Sequence, residues 1–424
     1  MVAMANAEGG TIVVGLHDGV VDGVEARKVN ALRKAAWDHT TPAVRASIDE
    51  LMTRTPDGDH TLVVVRVEPS DTLHALTNGT AYLRVGDESR KLSAAQRQEL
   101  AYDRGAAAYE GSAVPLDVDD LDQVQLTAYA DALGSTSIRS MLTARDLLDR
   151  RDRVTVAACL LFDKRPQREF PHAVVRILRY GDIEQGLGSR MTLEDGADIR
   201  REGSLPQQIH EAAEEIERLM PKWQQLGPDG LFSAVPRIPR DAWLEGLVNA
   251  VVHRSYSLMG DHIRVEIFPN RIQISSPGRF PGVVDPARPL DIERYARNPR
   301  IARVCSDLGI TRELGEGIRR MFDEMRRRGL ADPVYTQLSS SVRLVLLASD
   351  ALPAEILKRL TPSAKAVLDV LRVGGQPMGT GQIIELAGIS RMTATRALAH
   401  LRDEGIVSWQ GLSPKDPRAT WTLR

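Results

Sequence analysis

The sequence predicts a mixed α/β and α+β protein with several domains, and three observations support this. Near the N-terminus, the β-branched runs at 11–16 and 61–67 flank a stretch with helical periodicity, which is typical of an α/β unit. In the middle, a helix starting near residue 241 precedes two period-2 runs separated by Pro269 and Asn270, which predicts a helix followed by a hairpin. At the end, three helical stretches precede two strand candidates.

Length and composition limit the classes of protein to consider. The chain has 424 residues and 42% hydrophobic residues, which is enough for two to four cored domains, and we expect three. Lys+Arg 55 against Asp+Glu 57 gives a net charge of −2, so any nucleic-acid site must be local. Cys159 and Cys305 have no metal-binding spacing and are expected to be buried thiols. Without a signal peptide or an apolar run of about 20 residues, a cytoplasmic protein with no membrane span is expected.

The first domain is predicted to span residues 1–104. Helical periodicity predicts a helix over 28–53, and the segment 79–93 reads as a strand ending in a Gly-Asp-Glu turn. A polar helix is predicted over 94–104. The small, acidic and irregular stretch 105–122 is predicted to be a linker.

The second predicted domain spans residues 123–350. Residues 154–163 form a run of apolar and small side chains that predicts either a buried strand or the core of a helix. A strand is predicted over 170–180, and an amphipathic helix over 204–220. The part from 123 to 203 is treated as an N-terminal extension of the same domain.

The third predicted domain spans residues 361–424 and has the element order of a winged helix-turn-helix. In "GISRMTATRALAHLRDEGIV" a serine is placed to cap a helix whose exposed face is short, polar and basic, which suits insertion into a DNA major groove. Lysine and arginine in the following loop are placed to meet the flanking phosphates. The alternative is a winged helix used for protein contact or dimerisation. The predicted DNA-binding residues are Ser390, Arg391, Thr393, Thr395, Arg396, Lys415 and Arg418.

A second set of residues points to nucleotide chemistry. Glu245, Asn249 and His253 recur every four residues, so they project from one face of a helix. A carboxylate can orient a water molecule, and a carboxamide oxygen can hold Mg²⁺. Two glycine loops follow, and the second opens a helix whose first N–H groups could receive phosphate. The loop glycines are Gly278, Gly282, Gly315 and Gly317. The alternative is a hydrated helix face followed by ordinary turn glycines.

Residues 205–345 resemble the ATP-binding fold of the gyrase, MutL and histidine-kinase superfamily, an α/β sandwich, in the variant found in bacterial transcriptional regulators related to the Schlafen group. The matching stretches are "LVNAVVHRSYS", "VEIFPNRIQISSPGRFP", "ARNPRIARV" and "GITRELGEGIRRMFDEM". The resemblance implies that Glu245 is the general base, that Asn249 is the Mg²⁺ ligand, and that Asn298 belongs to the nucleotide site. The first glycine loop would receive adenine and the second would cover the phosphates. Ser276 stands where the superfamily has the aspartate that binds the adenine amino group.

The N-terminal segment resembles the AlbA-like Schlafen domain of the same regulators, through "VAMANAEGGTIVVGLHDGVVDGV", "AYLRVGDESRKLS" and "YDR". Some Schlafens use upstream carboxylates together with the aspartate matching Asp18 to bind metal and cut RNA. Those upstream residues do not precede Asp18 here, so no nuclease activity is expected, and Asp18 alternatively serves only as a turn residue. Either the true start lies upstream of Met1, or the sheet lacks its first strand. An exposed sheet edge would recruit a second chain, which predicts a homodimer.

These features together predict a DNA-binding transcriptional regulator whose binding to an operator is modulated by ATP, with Mg²⁺, or by a related nucleotide. Its partners are then double-stranded operator DNA and the nucleotide. The alternative is an ATPase or nucleic-acid-processing enzyme of a defence or stress system. A third possibility is an adaptor with a degenerate nucleotide fold. An enzyme with substantial turnover is less expected than a regulator, although slow ATP hydrolysis is compatible with Glu245 and Asn249.

Overall fold

The computed structural model divides the chain into two compact units. It describes residues 1–103, 109–226, 231–280, 288–291, 296–311, 316–338, 340–349, 352, 354–374, 376–411, 416 and 419–423. One unit comprises Met1–Tyr109 and Gly278–Arg297, and the other comprises Glu110–Pro277 and Asn298–Arg424. Helices and strands alternate in both, which confirms the predicted mixed α/β class. The predicted division into three domains stays a prediction.

The first unit is built on a three-stranded antiparallel sheet. Its elements are α1 (Val2–Ala5), β1 (Gly10–Val14), β2 (Leu16–His17), β3 (Val20–Val21), α2 (Ala26–Asp38), β4 (Thr40–Thr41), β5 (Ala46–Thr55), β6 (Gly58–Val67), β7 (Ala75–Leu76), β8 (Tyr82–Val85), β9 (Glu88–Lys91) and α3 (Ala94–Asp103). The strand order is β1-β6-β5. In β6 the buried side chains of Val63, Val65 and Val67 alternate, as the period of a strand requires, and form the core with Val29 and Val44.

The predicted helix over residues 28–53 is wrong in its second half. Helix α2 ends at Asp38, and the following residues form β4 and then β5, which pairs with β6 from Ala46↔Val67 to Thr55↔Gly58. Pro42 disfavours the helical conformation of the residue before it, which ends the helical stretch. The hydrogen bonds that β5 gains come from β6, the next strand along the chain, across a tight turn between Thr55 and Gly58. Pairing across this hairpin therefore overrides the local helical periodicity.

Asp18 lies in a two-residue turn between β2 and β3. Asp18 and Gly19 have φ angles of 47° and 82°, so both central residues of the turn are left-handed, as tight hairpin turns require. The Asp18 side chain is 91% exposed and lies 3.7 Å from His17 Nε2. This position matches the alternative in which Asp18 is a turn residue.

The central part of the second unit surrounds a six-stranded sheet. Its elements are α4 (Gln123–Ala132), α5 (Ile138–Ala144), α6 (Val156–Phe162), β10 (Val175–Tyr180), β11 (Leu193–Arg201), α7 (Leu205–Leu219), β12 (Lys222–Leu226), β13 (Phe232–Pro236), α8 (Arg240–Val252), β14 (Ile263–Phe268), β15 (Arg271–Pro277), α9 (Pro299–Asp307), α10 (Gly317–Arg327), β16 (Val334–Gln337) and β17 (Ser341–Leu347). The strand order is β11-β10-β14-β15-β17-β16, with β10 and β14 parallel and the other pairs antiparallel.

Several predictions for this region are confirmed. The helix predicted over 204–220 is α7, with Ser204 and Met220 as its flanking cap residues. The predicted hairpin is β14 and β15, which pair across the turn from Phe268 to Arg271. The run 154–163, open between strand and helix, is the helix α6, and every one of its residues is buried. No described helix has both the length and the apolar character needed to cross a membrane.

The C-terminal part of the second unit contains helices packed on a small sheet. Its elements are α11 (Ala354–Arg359), α12 (Pro362–Gly374), β18 (Met378–Gly379), α13 (Thr380–Ala387), α14 (Arg391–Asp403), β19 (Val407–Gln410) and β20 (Thr420–Leu423). The sheet order is β18-β20-β19, so the short strand β18, which sequence analysis did not predict, joins the two expected strands. Leu368, Leu371, Leu398 and Leu401 contribute to its buried core.

Candidate functional site

Helix α8 carries two of the predicted site residues on one face. Glu245 and Asn249 are four residues apart, and the Asn249 amide donates to Glu245 Oε1 at 3.1 Å. Gly246 follows Glu245 in the sequence and faces the sheet. A Cβ added there would lie 2.6 Å from Leu344 and 3.0 Å from Ile274. The lack of a side chain at Gly246 therefore lets α8 lie close to β15 and β17. This close packing fixes the position of Glu245.

The Glu245 carboxylate lies against the first turn of α10. An ion pair joins its Oε2 to Arg320, and a Cβ added at Gly317 would lie only 1.8 Å from its Oε1. The Glu245 side chain is 14% exposed and that of Arg320 is 44% exposed. Burial raises the pKa of Tyr335, and the negative charge of Glu245 raises it further. The carboxylate of Glu245 therefore contacts the guanidinium of Arg320 and the amide of Asn249 beside the start of α10.

Sequence analysis did not identify Arg320. It lies 75 residues from Glu245 along the chain, so spacing alone gave no indication of their contact. The available signal was its place in "GEGIRRM", within the first turn of the helix that follows the second glycine loop. A basic side chain in that position is suited to a ligand with phosphate groups.

Ser276 and His253 are placed near the C-terminal end of α8. The Ser276 hydroxyl donates to the carbonyl oxygen of Ala250 at 2.7 Å. His253 is the residue at the C-terminal cap, and its backbone N–H donates to the Asn249 carbonyl at 3.0 Å. The hydroxyl oxygen of Ser276 keeps lone pairs that can accept a further hydrogen bond. Nucleotide binding by these two residues stays a prediction.

Asn298 ties the start of α9 to the end of α8. Its side chain is buried, and its amide donates to the carbonyl oxygens of Val252 and Arg254, both at 2.8 Å. The first bond satisfies a carbonyl group that the end of α8 leaves without a helical partner, and the second holds the segment that follows the helix. The predicted place of Asn298 in a nucleotide site stays a prediction, and the contacts observed are those of a positioning residue.

The predicted glycine loops are only partly described. Gly278 follows β15 directly and has a φ angle of 115°. It is the first residue of the segment Gly278–Arg297, which belongs to the first unit. Gly317 is the first residue of α10. Gly282 and Gly315 lie outside the described residues, so their predicted roles are not addressed by the structure.

The chemistry of this site fits the phosphate groups of a nucleotide and their Mg²⁺ ion. Because Asn249 donates through its amide nitrogen, the amide oxygen is left to act as a cation ligand. Arg320 and the first N–H groups of α10 are donors of the kind that phosphate oxygens prefer. Within the described part of the chain there is no cluster of three or more His, Cys, Asp or Glu residues that could hold a metal ion.

A second carboxylate, also missed by sequence analysis, caps helix α9. Glu110 is fully buried, and its two oxygens accept from the backbone N–H groups of Arg300 at 2.7 Å and Ile301 at 3.1 Å. Burial raises the pKa of Glu110 to about 7, against the opposing effect of these hydrogen bonds and of the Arg300 guanidinium. Part of the predicted linker 105–122 is therefore packed into the second unit.

Helix α14 begins with the predicted serine cap. The Ser390 hydroxyl accepts from the Thr393 backbone N–H at 3.2 Å and lies 2.8 Å from the Thr393 hydroxyl. Arg391, Thr395 and Arg396 are exposed on the outer face of the helix. The inner face packs into the core, through Ala394, Ala397, Leu398 and Leu401. Lys415 and Arg418, predicted to contact phosphates from the wing, lie outside the described residues.

The C-terminal helices are connected to the central sheet through α12. Val373 packs against Ala331 and Leu347. Burial also raises the pKa of Asp369 on the same helix to about 6.

The two cysteines were predicted to be buried thiols. Cys159 and Cys305 are both buried, which confirms this prediction.

Comparisons with known proteins identify two regions of the chain. Residues 1–93 match the family model described as "Schlafen, AlbA_2", and residues 260–346 match the model described as "Putative ATP-dependent DNA helicase recG C-terminal". No curated protein matches the chain. Among solved structures, the DIP2311 protein from Corynebacterium diphtheriae is similar over 100% of this chain and 85% of its own, at 20% identity and a TM-score of 0.47.

The chain therefore has a Schlafen AlbA_2 domain at its N-terminus and an ATPase-like domain in its middle. The second match includes β14, β15, Gly317 and Arg320, but it starts after Glu245 and Asn249. These two domains indicate a nucleic-acid-related, ATP-binding protein.

Proposed function

We propose that this protein is a DNA-binding transcriptional regulator whose C-terminal winged helix binds an operator, and that ATP or a related nucleotide modulates this binding. The observation that carries the proposal is the exposed face of α14. Arg391 and Arg396 flank Thr395 on that face, while the opposite face is held in the core by small and apolar residues. This arrangement is the one in which a recognition helix enters the major groove.

The residues at the start of α14 suit a DNA contact. Arginine side chains donate to guanine edges or to phosphates, and each good base contact is worth about 1–3 kcal/mol. The small side chains of Ser390, Thr393 and Thr395 allow this part of the helix to approach the groove closely. The order helix, strand, helix, helix, strand, strand from α12 to β20 supports the winged-helix assignment.

The nucleotide part of the proposal rests on Glu245, Asn249 and Mg²⁺. In it, Asn249 would hold the metal ion through its amide oxygen, and Glu245 would orient a water molecule. Helix α10 offers a connection from this site to the DNA-binding helices, since Arg326 near its end binds Asp332 through two hydrogen bonds of 2.7 and 2.8 Å. Ala331, beside Asp332, is part of the cluster against which α12 packs.

Binding to a palindromic operator requires two copies of the winged helix, so we propose a homodimer. Strand β1 supports this because it lies at one edge of the β1-β6-β5 sheet, and sheet edges pair readily with other chains. Light scattering should report a dimer at micromolar concentration. A stable monomer would count against this part of the proposal.

The test of the proposed function is a native-gel titration of the full-length protein against a labelled duplex from the region upstream of its own coding sequence. A discrete shift is expected for the wild type, and ATP with Mg²⁺ should change the midpoint. The double variant Arg391→Ala, Arg396→Ala should lose the shift. The matched control is Arg402→Ala, since Arg402 is an exposed arginine at the other end of α14 and pairs with Asp403. Equal affinity of wild type and double variant would rule out α14 as the recognition helix.

A second candidate function, an ATPase or nucleic-acid-processing enzyme, is favoured by one observation. The 3.1 Å contact between Asn249 and Glu245 places a potential general base beside a potential metal ligand. Phosphate release from ATP separates the two candidates. Rapid turnover that is abolished by Glu245→Gln, together with no duplex binding, would favour the enzyme.

A further inference from the structure

The Glu245 carboxylate occupies the place where the start of α10 would receive an anion. Its Oε1 lies so close to Gly317 that any side chain there would collide with it, and its Oε2 pairs with Arg320 in the same first turn. The N-terminus of a helix favours negative charge, and here a side chain of the protein itself supplies that charge. Gly317 and Arg320 both lie within the ATPase-like match.

We propose that Arg320 binds the terminal phosphate groups of the nucleotide, and that Glu245 is the resident counter-ion which these phosphates displace from Arg320. This inference rests on the nucleotide binding in the proposed function and adds a competition to it. Glu245 then has two roles, since the same carboxylate holds the phosphate-binding arginine before the nucleotide arrives and is released to orient water afterwards. The phosphates and Glu245 therefore compete for the same guanidinium, whose terminal nitrogen Nη2 contacts Glu245 in the structure.

The exposure of the two side chains supports an exchangeable pair. Arg320 is 44% exposed, so an incoming phosphate can reach its guanidinium without opening the core. Glu245 keeps its second partner, Asn249, which holds the carboxylate on α8 when Arg320 turns away. A phosphate group carries more negative charge than a carboxylate and accepts paired N–H donors from arginine. The exchange therefore replaces one charge-assisted contact by a stronger one.

Competition has a consequence that a simple catalytic role for Glu245 does not have. Glu245→Gln keeps the shape of the side chain but removes the competing charge, so ATP should bind more tightly, by roughly fivefold for a partly exposed ion pair. Arg320→Gln should weaken ATP binding by about tenfold or more, because a charge-assisted contact to phosphate is lost. Both effects should be much smaller for AMP, which lacks the terminal phosphates.

Isothermal titration of ATP and AMP with Mg²⁺ into the full-length protein tests this inference. Two charge-matched controls are available: Asp241→Asn, on the exposed first turn of α8, and Arg319→Gln, on the exposed side of α10. Arg320→Lys should restore part of the ATP affinity, since it restores the positive charge. Thermal unfolding of each variant without nucleotide confirms that the fold is retained.

The outcomes separate the inference from the function on which it rests. Tighter ATP binding by Glu245→Gln than by Asp241→Asn, with AMP unaffected, supports the competition. ATP binding that is equal in wild type, Glu245→Gln and Arg320→Gln would overturn the inference and leave the nucleotide proposal standing. Absence of ATP binding in the wild type and in every variant would overturn both.

Discussion

Two glutamates lie at the starts of two helices that are consecutive along the chain, and their surroundings differ. Glu110 is fully buried, and its carboxylate accepts directly from two backbone N–H groups of α9. Glu245, at the start of α10, is partly exposed and is held by two side chains, Asn249 and Arg320. The first arrangement fixes a helix permanently, because backbone donors cannot turn away. The second is exchangeable, because side-chain donors can.

This difference suggests how a structural site and a binding site are built from the same residue type. A helix start that is closed by a buried carboxylate has no capacity left for a ligand. Where a partly exposed arginine holds the carboxylate at a helix start, another anion can replace that carboxylate. The comparison predicts that Glu110 contributes mainly to stability and Glu245 mainly to binding.

The largest effect is expected for Glu110→Ala. The substitution leaves the buried N–H group of Ile301 and the partly buried one of Arg300 without acceptors, at roughly 1–3 kcal/mol each, so the free energy of unfolding should fall by about 4 kcal/mol. Urea denaturation measures this change. Glu245→Ala is the matched comparison, and it should cost less than about 1 kcal/mol because its ion pair is partly exposed. Equal losses in the two variants would contradict the distinction between a fixed and an exchangeable carboxylate.

The pH dependence of stability should single out Glu110. Its pKa is raised from 4.5 in the unfolded chain to about 7 in the fold, so the folded protein binds more protons between these values. Its contribution is therefore full below about pH 4.5 and is lost as pH rises through 7, by up to about 3 kcal/mol. Glu110→Gln should remove the part of the slope that comes from Glu110 and leave the part that comes from Asp369. Urea titrations of wild type and variant at pH 5 and pH 7.5 give the difference, and parallel pH profiles would show that Glu110 does not titrate in this range.

A smaller effect is expected at Gly246, which positions Glu245 through packing. A methyl group there would press on Leu344 and Ile274, so Gly246→Ala should destabilise the fold by about 1–2 kcal/mol, although alanine is the better helix former. Gly381→Ala in α13 is the control, because nothing lies within 4 Å of the added Cβ. That change should stabilise by up to about 1 kcal/mol. Thermal or urea unfolding measures both, and the same sign in both would contradict the close packing of α8.

The sequence alone predicted the parts of the fold that depend on local patterns. The cap at Ser390, the limits of α7 and the hairpin of β14 and β15 all follow from residues within one or two turns of each other. The strand β5 was predicted as helix from its own periodicity, without its hairpin partner β6. Helical periodicity therefore failed where pairing across a hairpin competed with it.

The candidate site shows a second limit, which is set by distance along the chain. Glu245 and Asn249 were identified because four-residue spacing on one helix is visible in the sequence. Arg320 and Glu110 were missed because their contacts join residues 75 and 190 positions apart. A carboxylate that caps a helix from a distant segment leaves no local signature of its partner. The residues that distinguish the two helix starts are therefore the ones that only the fold brings together.

The smallest effect on stability, and the most specific one, is expected for Gly317→Ala. The added Cβ meets the end of a flexible Glu245 side chain, which can move, so the free energy of unfolding should change by less than about 1 kcal/mol. The carboxylate should nevertheless be pushed from the start of α10, which weakens its pair with Arg320 and should raise ATP affinity in the same direction as Glu245→Gln. Isothermal titration of this variant beside Gly381→Ala provides the measurement. Weaker ATP binding would show instead that the space at Gly317 serves the nucleotide itself, since a methyl group would then exclude the ligand and not the resident carboxylate.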